Sequence, residues 1–219
     1  MRLEGGVGMS EMTEGGAMDA NRRGPVHIPV LANEVIEAIG TECERECEGW
    51  FVDATLGAAG HSKLLLEAFP KMRLLGTDQD PEILALAEER LAPFGDRVRI
   101  ERSRLSDLGR VIRKLRIERP VAMLMDLGVS SLQLDRPERG FSFQFDGPLD
   151  MRMDPSRSRT AAEIVNHWDE RDLADLFFYE GGETRARSIA TAIVEARHRS
   201  PFRRTGAFMA AAGADGVTV

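Results

Sequence analysis

Cysteine is nearly absent from this 219-residue chain, tyrosine occurs once, and no apolar run approaches the length of a membrane span. The two cysteines, Cys43 and Cys47, sit among Glu42, Glu44, Glu46 and Glu48 with no further metal ligand of suitable spacing nearby. A structural zinc site is therefore excluded, and two free thiols in a reducing cytosol are expected. The N-terminus lacks the basic-then-apolar order of a signal peptide, so the expected location is cytoplasmic, with no membrane partner. A surplus of positive charge is also missing. The formal net charge is −7, which excludes a protein that holds nucleic acid through general basicity and leaves only a local basic patch for such contact. No internal repeat is present, and nothing in the chain specifies an oligomeric state.

What the chain does have is the alternation of a soluble α/β protein. Residues 1–24, rich in Gly, Met and Glu, are expected to be a disordered tail, with Met9, Met12 and Met18 as alternative starts. Helical apolar spacing over 30–39 is followed by an acidic connection over 41–49. Strands are expected at 50–53, 73–78, 98–100 and 121–125, with helices at 61–69, 81–91 and 108–116 between them. Pro81 suits a first helical position. Such alternation implies a parallel, doubly wound sheet. After Asp154 the strands stop: 161–168, 172–179 and 184–199 read as helices, a separate helical module beside the sheet. The small residues of 206–219 carry no placement signal. The expected organisation is thus a tail (1–24), a sheet domain (25–134), a helical domain on the substrate side (135–205) and an unassigned end (206–219).

The richest segment is DLGVSSLQLDRPERGFSFQFDGPLDMRMD, Asp126 to Asp154. It follows the fourth strand and holds carboxylates, glycines and arginines, which suits a ligand crevice outside the carboxyl ends of a parallel sheet. A second candidate is the turn after the first strand, Asp53-Ala54-Thr55-Leu56-Gly57-Ala58-Ala59-Gly60-His61. Its two glycines permit a tight turn and close backbone approach, but the three-glycine G-x-G-x-x-G that grips a pyrophosphate is missing. Asp78 closes the second strand about 20 residues on, where an acid meets a ribose diol. A strand-terminal Asp53, a glycine turn and Asp78 suit S-adenosylmethionine, which has a ribose but no phosphate. On spacing alone, other nucleoside-type ligands fit equally well. Asp126, closing a third strand, tilts the reading toward S-adenosylmethionine.

Taken together, HIPVL, VDATLGAAGHS, GTDQDPEILALAEERL, MDLGVSSLQLD, RGFSF and GPLDMRMD resemble the ribosomal RNA small subunit methyltransferase H family, from about His27 to Arg204. The resemblance implies a Rossmann-like methyltransferase sheet with an inserted helical domain. It also implies S-adenosylmethionine-dependent methylation of N4 of a cytosine in the decoding centre of 16S rRNA, within the small ribosomal subunit. The family's cofactor contacts fall on Ala59, Gly60, His61, Asp78, Leu105, Asp126 and Gln133. Departures are visible. Ala59 stands where the family has glycine, Leu105 where it has phenylalanine, and Tyr179-Glu180-Gly181-Gly182-Glu183 only approximates Y-G-E-E. The family's later H-P-A-T-R-T-F-Q-like and S-F-H-S-L-E-D-like motifs do not occur, so the sheet is expected to be incomplete, with apolar surface left exposed.

The chemistry implied is displacement of a sulfonium methyl by an amine whose lone pair is delocalised into a ring. A carboxylate accepting hydrogen bonds from that amine would localise the pair and orient attack. The D-P-P-Y motif of many amino-methyltransferases is absent, which leaves Asp126 as first candidate and Asp150 and Asp154 as rivals. The alternative for the latter two is a loop-stabilising cluster with Arg139 and Arg152. For RNA, Arg185, Arg187, Arg197, Arg199, Arg203 and Arg204 with His198 are opposed only by Glu183 and Glu195, giving either a phosphate-binding face or a solvated helix face. Phe141, Phe143 and Phe145 alternate and could stack a base, but read better as local core under the Gly140 loop. Two other functions fit less of the sequence: a non-catalytic remnant that binds RNA or ribosomal subunits, and a small-molecule methyltransferase, which the arginine-rich helix disfavours.

Overall fold

In the computed structural model of the chain, residues 29–42 and 47–213 are described. The expected tail over 1–24, the start of the HIPVL motif, Cys43 and residues 214–219 lie outside them. The elements run α1 (Ala32–Glu42), β1 (Gly49–Asp53), α2 (Gly60–Ala68), β2 (Met72–Asp78), α3 (Pro81–Leu91), β3 (Val98–Arg102), α4 (Leu108–Lys114), β4 (Pro120–Leu124) and α5 (Ser131–Leu134). Then come α6 (Ala161–His167), α7 (Glu170–Asp175), α8 (Ala186–Arg199) and α9 (Thr205–Ala211). All four strands pair in parallel in the order β3-β2-β1-β4, the α/β architecture that the sequence predicts.

Alternation along the strands explains the two covered faces. Phe51 and Leu74 point into a core with Leu65 and Leu66 of α2, Leu84 and Leu91 of α3, and Val35 and Ile36 of α1. Their neighbours Val52 and Leu75 point the other way, into a cluster with Leu108, Val111 and Ile112 of α4. Each of these large side chains contributes roughly 1.5–3 kcal/mol when fully removed from water. At β4 only one face is covered: Ala122 and Leu124 join the first core, while Val121 and Met123 are exposed. The sheet order reverses direction between β1 and β4, which places a crevice outside their carboxyl ends.

The helical module has its own core, built from Leu149, Val165, Leu173, Ile193 and Phe202. The stretch from residue 206, which carried no placement signal in the sequence, supplies most of α9, whose Phe208 packs edge-on against Phe202 at 6.1 Å. The single helix expected over 172–179 divides into α7 and a π-helical turn, Leu176–Glu180. One correction concerns cysteine: Cys47 is buried and disulfide-bonded rather than a free thiol. Among the described residues, no helix is long and apolar enough to cross a membrane, and no group of three or more His, Cys, Asp or Glu could hold a metal ion.

Candidate active site

Asp53 ends β1, Asp78 ends β2, and Asp126 lies two residues past β4, so three acids gather at the carboxyl edge of the sheet. They are not equivalent. Asp53 is buried beneath the turn, where it accepts a 2.6 Å hydrogen bond from Ser62 Oγ and one from the Thr55 amide at 3.2 Å. Burial pushes its carboxyl up to about 6, against the pull of those two donors. It holds the turn from inside and offers nothing to a ligand.

Asp78 is half-buried. One oxygen accepts the Gly57 amide at 3.0 Å and the other the Asp80 amide at 3.0 Å. A carboxylate has about four acceptor sites, so two remain for the hydroxyls of a diol. Its backbone carbonyl accepts the Ser103 amide at 2.9 Å, which brings the turn carrying Leu105 to the same edge. Leu105 is exposed there.

The glycine turn is tied to β2 by that Gly57–Asp78 bond and by the Leu56 amide on the Thr77 carbonyl. Ala59 caps α2 in the left-handed region (φ 62°, ψ 30°), with its methyl fully buried. An L residue in this conformation costs roughly 1–2 kcal/mol. At Gly60 no side chain fits, because a Cβ would stand 2.7 Å from Pro29 Cγ. His61 Nε2 donates to the Val30 carbonyl at 2.8 Å, securing the segment before α1 over the turn. Asp126 is fixed through its backbone, whose amide donates to Thr55 Oγ1 at 2.7 Å. Its exposed carboxylate has no hydrogen-bond or ion-pair partner among the described residues.

Gln133 is buried and already engaged. Its amide nitrogen donates to Asp80 Oδ2 at 2.9 Å, and its oxygen accepts the Ser130 amide at 3.0 Å in a capping box of α5. Asp80 is the residue that sequence reasoning missed. D-P at the start of α3 reads as a helix cap, which it is, but the same carboxylate also takes Arg139 Nη2 at 2.7 Å in full burial. Arg139 in turn donates to the carbonyls of Arg152 and Met153 and to Glu82. Burial opposes its charge, yet Asp80 and Glu82 hold the guanidinium above its ordinary value. This pair clasps the segment around residue 152 to the sheet.

The two acids of that segment are consumed by local partners. Asp150 accepts Arg152 Nε at 2.8 Å and Nη2 at 2.7 Å, and the forked Arg152 bond holds its carboxyl below the usual range. Asp154 accepts the hydroxyl and amide of Ser156 and pairs with Arg102 of β3, which also hold it low. The expected loop-stabilising cluster exists for Asp150 with Arg152; Asp154 turns instead to Arg102, and Arg139 to Asp80. A cavity of about 420 Å³ lies beside the crevice, lined by Gln79, Arg102, Arg104, Arg110 and Asp154 among others. Its lining includes Gln79, the chain neighbour of Asp78, but neither Asp78 nor Asp126.

Two further expectations change. Phe141 is buried as expected, but Phe143 and Phe145 stand in solvent, 62% and 55% exposed. Of the six arginines, Arg197 donates to the Val165 and Trp168 carbonyls at the end of α6, Arg204 pairs with Asp146, and Arg185 pairs with Glu183. Arg187, Arg199 and Arg203 remain without an ion-pair partner among the described residues, so the basic face is narrower than the sequence count implies.

With this geometry in place, comparison with known proteins is specific. The model of the MraW methylase family matches residues 25–214. Proteins named ribosomal RNA small subunit methyltransferase H are similar to this chain. The one from Carboxydothermus hydrogenoformans is 47% identical over 179 residues, 82% of this chain and 56% of that protein. The one from Mycolicibacterium gilvum is 47% identical over 180 residues, 82% and 48%. The one from Thermobifida fusca is 44% identical over 182 residues, 83% and 55%. The chain thus spans about half the length of the curated relatives it matches.

Proposed function

This chain belongs to the MraW methylase family, and we propose that it forms the cofactor-binding and substrate-facing part of an S-adenosylmethionine-dependent methyltransferase. Its target would be N4 of a cytosine in the decoding centre of 16S rRNA, within the small ribosomal subunit. The observation that carries this reading is the pairing of open acids at one sheet edge: Asp78 with two unused acceptor sites, and Asp126 with a wholly unengaged carboxylate. The relatives' names supply the class of reaction.

The site's residues fit such a cofactor. When bound, S-adenosylmethionine supplies a sulfonium methyl open to displacement. The turn from Gly57 to Gly60 gives a ligand a surface with little side-chain bulk, and the Ala59 methyl is buried rather than standing in the crevice. Asp78 would accept the ribose hydroxyls, and Leu105 would pack beside the base. Gln133 would act mainly through Asp80, since its side-chain amide is already bonded. Asp126 would accept hydrogen bonds from the substrate amine, localise its lone pair and offset the positive charge that develops there. Asp150 and Asp154 would shape the lip on the substrate side. Residues 25–134 would be the methyltransferase domain and 135–205 the inserted domain that faces RNA, with Arg187, Arg199 and Arg203 contacting phosphates.

The test is labelled methyl transfer to small ribosomal subunits, with Asp78→Ala and Asp126→Ala as controls. Transfer that both substitutions abolish supports the reading. Cofactor binding without transfer would favour a non-catalytic RNA-binding role for this chain, and transfer to small molecules alone would favour the third reading.

A further inference from the structure

The loop from Phe141 to Gly147 is locked at both ends. Phe141 is buried, and the Gln144 amide donates to Ser142 Oγ at 3.2 Å. At the far end Gly147 and Thr205 exchange two bonds: the Gly147 amide to Thr205 Oγ1 at 3.0 Å and the Thr205 amide to the Gly147 carbonyl at 2.9 Å. Asp146 accepts Arg204 and the Gly206 amide, and Thr205 Oγ1 reaches the Phe145 carbonyl at 3.4 Å. Gly147 packs so tightly that a Cβ there would stand 1.9 Å from the Pro137 carbonyl oxygen. A loop pinned this firmly nevertheless holds two phenyl rings, Phe143 and Phe145, out in water. Two exposed rings are expensive to keep, and a backbone already pinned around them lowers the ordering cost that a ligand would meet.

The surroundings say what the ligand is. Met123 of β4 and Met125, Leu127 and Val129 just beyond it are also exposed, but all are non-aromatic. The 141–147 loop instead exposes two phenyls in alternation with the polar Gln144 and Asp146. The strand-like clasp at Pro148 and Arg204 also carries Arg203, which has no acidic partner among the described residues. Exposed aromatic rings and, on the segment bonded to their loop, a guanidinium without an acidic partner among the described residues match the two halves of a nucleotide, a base face and a phosphate.

We propose that Phe143 and Phe145 form a stacking platform for unpaired bases of the RNA, with Arg203 on the adjoining phosphate. The proposal rests on the reading of the chain as an RNA-modifying protein and adds where unpaired RNA is gripped. The bases held would be unpaired neighbours of the one presented to Asp126.

The experiment is fluorescence anisotropy of the 219-residue chain with a labelled single-stranded oligoribonucleotide of about a dozen nucleotides. An abasic oligonucleotide of the same length serves as control. The Phe143→Leu/Phe145→Leu variant keeps apolar bulk but removes the aromatic faces; as both side chains are more than half exposed, the fold does not depend on them. It should bind about five- to tenfold more weakly with an unchanged salt dependence, and the abasic strand should not distinguish it from wild type. Arg203→Gln should instead lower the slope of log K against log salt by about 0.7. Phe145→Trp should restore affinity, with indole fluorescence quenched on binding. Equal affinity of the leucine variant and wild type would overturn the platform. So would a change in sedimentation of the leucine variant alone, since that would identify a second copy of the chain as the occupant. Methyl transfer is read separately: its loss with stacking retained removes the enzymatic reading and leaves the platform standing.

Discussion

Asp78 and Asp126, at the strand ends, keep acceptor sites open, whereas Asp150 and Asp154, in the lip, spend theirs on Arg152, Arg102 and Ser156. All four are aspartates in family-typical motifs. What separates them is backbone context. The strand-end acids are anchored by amides and a threonine, which leave acceptor sites open, while Asp150 pairs with Arg152 two residues on and Asp154 with Ser156 and with Arg102 of β3. Availability, rather than residue type, marks the chemistry, and the lip emerges as a braced wall beside an open edge.

The largest expected effect tests that division. Asp126→Asn should lower methyl transfer by about 10²-fold or more, measured in single turnover on small subunits. At equal folded fraction Asp150→Asn should change it by less than about tenfold. Equal losses would erase the distinction. Next comes the clasp between lip and edge. Arg139→Met strands the buried Asp80 carboxylate and should cost about 3–5 kcal/mol in urea unfolding, and Asp80→Asn in the same chain should recover much of that loss. Recovery ties the cost to the pair.

The third effect is set by pH. The Asp53 carboxyl ionises at about 6 in the fold against 3.8 ordinarily. Between those values the folded state holds the extra proton, so stability falls as pH rises from about 4 to about 6 and is level above. The whole change is roughly 3 kcal/mol. Asp53→Asn should flatten that dependence in urea melts at pH 4, 5, 6 and 8. The lip acids act in the opposite sense: held low by their arginines and Ser156, they stabilise above the ordinary carboxylate range and lose that contribution only as pH falls below it. The smallest effect is at Ala59. Glycine relieves the left-handed strain but surrenders a buried methyl, so Ala59→Gly should raise stability by about 1 kcal/mol or less.

Much of the sheet domain was legible because each signal was local. Pro81 after Asp80 placed the start of α3, and the short apolar runs placed all four strands within a residue or two of their observed ends. The helical module was less legible. The π-helical turn at Leu176–Glu180 leaves no mark in apolar spacing, and α9, mostly small residues, docks through Phe208 against Phe202, 6 positions earlier but beyond the reach of a local pattern. The site divides in the same way. Asp78 and the glycine turn could be read from spacing, but the Asp80–Arg139 pair joins residues 59 positions apart, and nothing near either one signals the other. Phe143 and Phe145 look like core because they alternate, yet the loop that carries them is pinned by its backbone and needs neither ring.

The division between open and consumed acids is tested most directly by calorimetric titration of S-adenosylhomocysteine into this chain and its Asp78→Ala and Asp154→Ala variants. Asp78→Ala should bind at least about tenfold more weakly, since it removes the proposed acceptor of the ribose hydroxyls. Asp154→Ala should stay within about twofold of the parent chain, because its carboxylate is engaged by Arg102 and Ser156. Equal losses in the two variants, or a loss confined to Asp154→Ala, would erase the division.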